Sequence, residues 1–249
     1  IVDNFIDTDI PKKTSLVTPR EGALIDVVSL TVQQSDAMFK DRIARILDKK
    51  LLSPEEILEA VYQCAPYSGM SRAMDAANKV AEILVAKNIS ISAEMRASVS
   101  GVEDRFKKGT DAQIELFGEH FKKIQEAGKD NVPLSNYFLA INCFGDYYTR
   151  KGLTLKDREF ITMVMLVNLG VEPQLRAHIA ANLGVGRSPE FLEQAIYRTL
   201  PYSGYPKMLN AQSYLKDESE KFYHAKKTSP THKLTLDEYK KQTKFPVGA

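Results

Sequence analysis

The sequence predicts an all-α protein made of two copies of one helical unit. Apolar residues recur at three- and four-residue spacing along nearly the whole chain. No segment of strand length sustains apolar–polar alternation between turn signals. One passage occurs twice. "SPEEILEAVYQCAPYSG" (Ser53–Gly69) and "SPEFLEQAIYRTLPYSG" (Ser188–Gly204) match at 9 of 17 positions with an offset of 135. Chance identity over so short a window is about one match. Two amphipathic helices need not share a Pro-Tyr-Ser-Gly loop, so the identity points to duplication.

The elements follow in order. "LIDVVSL" and "MFKDRIARIL" read as an antiparallel helix pair, and "PEEILEAVYQCA" as the next helix. Pro-Tyr-Ser-Gly breaks the chain before "MDAANKVAEILVA". "KNISIS" (Lys87–Ser92) is read as a loop, "DRFKKGTDAQ" links the copies, and "DAQIELFGEHFKKIQEA" is read as one helix. "KDREFITMVMLVNLG" and "PQLRAHIAANLG" form the second pair, turning back at "GVEP". In the second copy of the repeated passage Ser188 can cap a helix, Pro189 suits its first position and Glu190 its positive end. Gly170, Gly184, Gly186, Pro201 and Gly204 are read as helix stops. With one residue gapped, "LIDVVSLTV" (Leu24–Val32) lies over "FITMVMLVN" (Phe160–Asn168), and Arg42 over His178.

The expected organisation is therefore an N-terminal repeat with an arm (1–97), a linker helix (98–131), a C-terminal repeat (132–225) and a polar arm (226–249). One unit cannot cover its own apolar face. Two would pack about a pseudo-two-fold axis, as a fused dimer.

Composition narrows the function. The 34 Lys+Arg and 32 Asp+Glu nearly balance, which leaves no basic field for nucleic acid. No apolar run approaches 18 residues, so no membrane span is expected. Two cysteines, Cys64 and Cys143, make no disulfide framework. The opening "IVDNFIDTDIPKK" lacks the basic-then-apolar order of a signal peptide and also lacks an initiator Met. The cytoplasm is the expected location.

The second copy carries the chemistry-bearing residues. Glu159 opens one apolar helix and His178 sits midway along the next, so the "GVEP" turn brings carboxylate and imidazole together. Such a pair can act as acid and base, the carboxylate holding the ring's tautomer while the ring moves the proton. The same residues also fit a satisfied, half-buried histidine and a carboxylate that complements a helix N-terminus. Cys64 reads as core; Cys143 reads as core that could border a pocket. His120 reads as solvated, and His224 and His232 lie near the polar tail. No two histidines have metal-ligand spacing, and Gly184–Gly186 follows no strand, so neither a metal nor a nucleotide site is expected.

Phe144–Ala211 resembles a unit of the carboxymuconolactone decarboxylase family, within the alkylhydroperoxidase-D-like helical superfamily. The matching features are Arg-x-Gly-Leu (Arg150–Leu153), Arg158-Glu159, a Leu-Gly stop, His178 eight residues before Gly186, and Gly204. The resemblance implies tandem units, no cofactor and a homo-oligomer, a trimer of fused dimers. The thiol-peroxidase branch carries Cys-x-x-Cys seven and four residues before this histidine; here those positions are Val171 and Gln174. A disulfide redox cycle is therefore not expected. The decarboxylase branch implies cofactor-free acid–base chemistry on a small carboxylated lactone or enolisable ring. His178 and Glu159 would be catalytic. Arg150 or Arg158 would bind the substrate carboxylate, and Tyr148 and Tyr202 would line the pocket. Arg176 is expected on a surface. In the first copy Arg42 replaces the histidine and Ala23 the glutamate, with Glu21 two residues away. That copy is read as degenerate, leaving one pocket per chain and possible side-chain loans across the interface.

Overall fold

The computed structural model describes residues 4–91 and 96–228. Two helices at its centre begin alike. Helix α1 (Pro19–Gln33) opens on a capping box: Thr18 Oγ1 accepts from the Glu21 amide, and the Glu21 carboxylate accepts from the Thr18 amide. The later helix Leu155–Leu169 opens the same way through Thr154 and Asp157. Each has 15 residues and ends in a left-handed residue, Gln34 or Gly170. Both bury residues from every side, which is why neither sequence shows a polar stripe. They lie against each other, and Asn168 Nδ2 donates to Ser29 Oγ at 2.9 Å between them.

The helices that follow repeat in order. After α1 come α2 (Asp36–Asp48), α3 (Pro54–Gln63), the turn Ala65–Ser68, and α4 (Met70–Ala86). An intervening segment contains α5 (Gly101–Phe117) and a π-helix (Leu139–Tyr148). Then come α6 (Leu155–Leu169), α7 (Glu172–Gly184), α8 (Pro189–Arg198) and α9 (Leu200–Thr228). Both α2 and α7 have 13 residues, and both α3 and α8 have 10. Ser53 and Ser188 cap α3 and α8. A cation closes each central helix: Arg72 donates to the Val32 carbonyl at 2.9 Å, and Lys207 to the Asn168 carbonyl at 2.5 Å.

The Pro-Tyr-Ser-Gly breaks share a geometry as well. Gly69 has φ 97° and ψ 144°; Gly204 has φ 75° and ψ 162°. Those combinations are open in practice only to glycine. The second break is one residue wide, and helix continues from Leu200 to Thr228 on either side of Gly204.

Two expectations change. "DAQIELFGEHFKKIQEA" is not one helix: α5 stops at Gly118 (φ 97°), and a 3-10 turn leads into a separate helix, Lys122–Ala127. Pro201 does not stop a helix but lies in the first turn of α9, whereas α7 does end at Gly184 and the chain turns at Gly186, which has φ 84°. Among the described residues there is no strand, and no helix is long and apolar enough to cross a membrane. Residues 229–249, most of the polar arm, lie outside the described residues.

The intervening segment folds back as a close pair. A Cβ at Gly109 of α5 would lie 1.9 Å from the Ala140 carbonyl oxygen, and one at Gly145 would lie 2.7 Å from that same oxygen. Glycine at both positions lets the π-helix press against α5. Arg105 bonds Asp146 across the pair. This packing sets the π-helix over the α6–α7 hairpin.

Candidate active site

Helices α6 and α7 bring Glu159 and His178 together. His178 Nδ1 lies 2.6 Å from Glu159 Oε1; Glu159 is fully buried and His178 is 7 % exposed. Asn182, one turn beyond the histidine, ties the helices: its Nδ2 donates to the Glu159 carbonyl at 3.1 Å and the His178 carbonyl at 2.8 Å. The carboxylate favours the tautomer that donates from Nδ1. Among the described residues Nε2 has no hydrogen-bond partner.

Aromatic rings enclose the imidazole. Tyr67 and Phe117 stand edge-on to it, with ring centroids at 5.7 and 5.3 Å. The π-helix supplies Tyr148, whose hydroxyl donates to Glu159 Oε2 at 3.0 Å. That hydroxyl also lies 2.8 Å from Thr162 Oγ1 and 3.1 Å from the Tyr67 hydroxyl. A phenol has one proton, so the threonine and second tyrosine can donate in return. Cys143 Sγ reaches the Tyr67 hydroxyl at 3.5 Å. Burial pushes both phenols well above their ordinary range and the Cys143 thiol up to about 12. Both tyrosines are therefore proton-bearing donors at neutral pH.

The two arginines are already engaged. Arg150 grips the fully buried Glu59 of α3 with Nε at 2.9 Å from Oε2 and Nη2 at 2.7 Å from Oε1. Arg158 Nη2 donates to Glu59 Oε2 at 2.9 Å, and Nη1 to Gln63 Oε1 at 3.1 Å. Arg158 is fully buried, and desolvation lowers its pKa from the usual arginine value. The carboxylate that Arg150 and Arg158 hold is thus the protein's own. The two arginines expected to cradle a substrate carboxylate hold Glu59 in this structure.

Tyr202 is also elsewhere. Its hydroxyl donates to Asp26 Oδ1 of α1 at 2.6 Å, beside Arg42. The breaks deliver their tyrosines crosswise: Tyr67 of the first copy reaches His178, and Tyr202 of the second reaches the Arg42 region.

Around Arg42 the space is filled. Its Nη2 donates to Asp26 Oδ2 at 2.8 Å and its Nη1 to Asp7 Oδ1 at 2.5 Å. Asp7 belongs to the short helical turns before α1. Arg176 points away from the site to Glu172, Asp217 and Glu218. Among the described residues no group of His, Cys, Asp and Glu is placed to hold a metal.

Tyr67, Glu59, Gln63, Thr162, Asn182 and Phe117 enter the site without having been singled out in the sequence. For Tyr67 a signal existed: the same tyrosine stands in both copies of a loop that helical periodicity does not require.

The site thus sets a buried glutamate–histidine pair beside proton-bearing tyrosines, groups that can donate and accept protons. Residues 134–217 match the Carboxymuconolactone decarboxylase family. The chain is also 30 % identical over 118 residues to a 4-carboxymuconolactone decarboxylase from Acinetobacter baylyi (strain ATCC 33305 / BD413 / ADP1), covering 47 % of this chain and 87 % of that protein. The chain belongs to the carboxymuconolactone decarboxylase family.

Proposed function

We propose that the chain is a cofactor-independent carbon–carbon lyase or isomerase that acts on a small lactone or enolisable ring. The supporting observation is the 2.6 Å contact between His178 Nδ1 and Glu159, which leaves Nε2 without a partner among the described residues, in a ring flanked by Tyr67 and Phe117. The relative's decarboxylase activity makes loss of CO2 the first reaction to test.

In that reaction the bond from ring carbon to carboxylate breaks, CO2 departs, and its electron pair passes into an adjacent carbonyl as an enolate. Tyr67, turning its proton away from Tyr148, donates a hydrogen bond to the developing oxyanion. Protonated His178 delivers its Nε2 proton to the carbon and recovers one from water, while Glu159 stabilises the imidazolium. An isomerase would use the same groups, removing a proton at one carbon and returning it at another.

The two units make up a fused dimer with one working site. The matched helix lengths and crosswise tyrosines support this reading, as does the cluster filling the Arg42 position.

The test is His178→Ala assayed against 4-carboxymuconolactone and related lactones. Turnover should fall about 10²–10⁴-fold, the usual contribution of general acid–base catalysis. Turnover surviving intact in the variant would remove the histidine from the mechanism.

A further inference from the structure

The hydroxyls around Glu159 can hold their protons in only one order. Tyr148 Oη lies 3.0 Å from Glu159 Oε2, 2.8 Å from Thr162 Oγ1 and 3.1 Å from Tyr67 Oη. Each contact needs one proton, and a phenol supplies one. The Glu159 carboxylate supplies none, and its other oxygen already accepts from His178. The Tyr148 proton therefore points at Glu159. Thr162 must provide the proton between itself and Tyr148.

What makes Thr162 a donor lies on α3. Arg158 can only donate, and its Nη1 lies 3.1 Å from one end of the Gln63 amide. That end is therefore the oxygen, and the amide nitrogen is the end that meets Thr162 Oγ1, at 3.5 Å. The threonine oxygen receives a proton there, so its own is directed to Tyr148. Arg158, Gln63, Thr162 and Glu159 are fully buried, which keeps bulk water from reversing the order. Tyr67 keeps a choice that Tyr148 lacks. Cys143 Sγ, a thiol that holds its proton, approaches the Tyr67 oxygen at 3.5 Å. The Tyr67 proton can rest on Tyr148 and turn to a substrate oxyanion, while Tyr148 still receives one from Thr162. The Arg42 region shows the contrary arrangement. With one residue gapped, Asp26 lies over Thr162 in sequence; it can only accept, and Tyr202 is committed to it at 2.6 Å.

We infer that Gln63 is a positioning residue for the His178 site. By donating to Thr162 it orders the hydroxyl protons, so that Tyr148 serves Glu159 and Tyr67 is free to meet the oxyanion. This rests on the acid–base reading of His178 above.

The test is Gln63→Glu, which keeps the size of the side chain and the Arg158 contact but offers Thr162 an acceptor in place of a donor. The threonine proton then turns to position 63, and one of the two close Tyr148 contacts loses its proton. For 4-carboxymuconolactone, kcat should fall about tenfold or more with KM little changed, as expected for partners in one hydrogen-bonded network. Thr162→Val cuts the connection, so on that background Gln63→Glu should lower kcat by less than about twofold. A second readout needs no turnover. The buried Tyr148 hydroxyl proton, assigned by its loss in Tyr148→Phe, should resonate downfield in the proton NMR spectrum and move upfield in Gln63→Glu.

An unchanged kcat in folded Gln63→Glu would overturn the inference. So would an equal loss on the Thr162→Val background, which is what a direct effect of the new carboxylate would give. A Tyr148 proton that is missing downfield in the wild type, or unmoved in Gln63→Glu, would also overturn it. If Gln63→Glu fails to fold, Gln63→Leu, which removes the donor as well, goes through the same cycle with the same expected outcome. If no lactone is turned over, the acid–base reading fails by itself, and the NMR shift still decides the proton order.

Discussion

At the scale of single residues, the site divides by where its parts lie in the chain. Glu159 and His178 belong to one helical hairpin, and a 19-residue spacing across a turn was enough to bring them together on paper. Arg150 and Arg158 were legible as cations near that hairpin, but their partner was not. Glu59 lies 91 residues before Arg150, and helical periodicity reports which face a residue occupies, not what lies across from it. Tyr202 was misplaced for the same reason. Cys143 supports a prediction of its own. Burial holds its thiol near 12, so almost none is thiolate at neutral pH. Iodoacetamide should modify the native chain far more slowly than the urea-unfolded chain at pH 8. Blocking reagents should leave no peroxide-reducing activity to lose. Rapid native labelling of Cys143, read by mass spectrometry, would revive a thiol-based reading.

At the scale of elements, the π-helix is the part that sequence pattern could not reveal. A π-helix has no apolar period distinct enough from that of an α-helix to show in ten residues. Its position depends on glycine: at Gly109 any Cβ would meet the backbone of Ala140. Gly109→Ala should cost about 1–3 kcal/mol or more, the usual range for overpacking, and should lower turnover by displacing Tyr148. Thermal melts with kcat measurements would check both effects. An unchanged melting temperature would show that the pair has room to part.

The helix N-termini carry a pH signature. Arg20 bonds Glu56 of the α3 cap and both oxygens of Asp157 in the α6 cap. Burial alone would raise the Asp157 pKa, but the Arg20 bond and charge outweigh it, so the group sits below the ordinary carboxylate value. Its stabilisation is present above the unfolded pKa of about 3.9 and fades as pH falls through the folded value. Arg20→Gln should therefore be less stable than wild type at pH 7, by about 1 kcal/mol or less given the arginine's exposure. The gap should close as pH drops below about 4. Denaturant melts at pH 7 and pH 3 would show whether it does.

At the scale of the whole molecule, the sequence shows its repeated passage plainly because Pro-Tyr-Ser-Gly recurs where no helix requires it. The structure adds how the two stretches meet. Helices α1 and α6 share one core, and each break sends its tyrosine into the other copy's territory. Only one of the two positions keeps a histidine. At the other, Arg42, Asp26 and Asp7 fill the space with ion pairs.

The crossing of Tyr67 also bears on how the site responds to dilution. An unlinked pair of units would have to find each other before a tyrosine reached the imidazole, and the site would disassemble at low concentration. Here both units share one chain, so the tyrosine meets the histidine at an effective concentration set by the tether, on the order of millimolar or above. Activity per chain should therefore stay constant from micromolar to nanomolar protein, even where any larger assembly has come apart. A specific activity that falls on dilution would show that a neighbouring chain also completes the site.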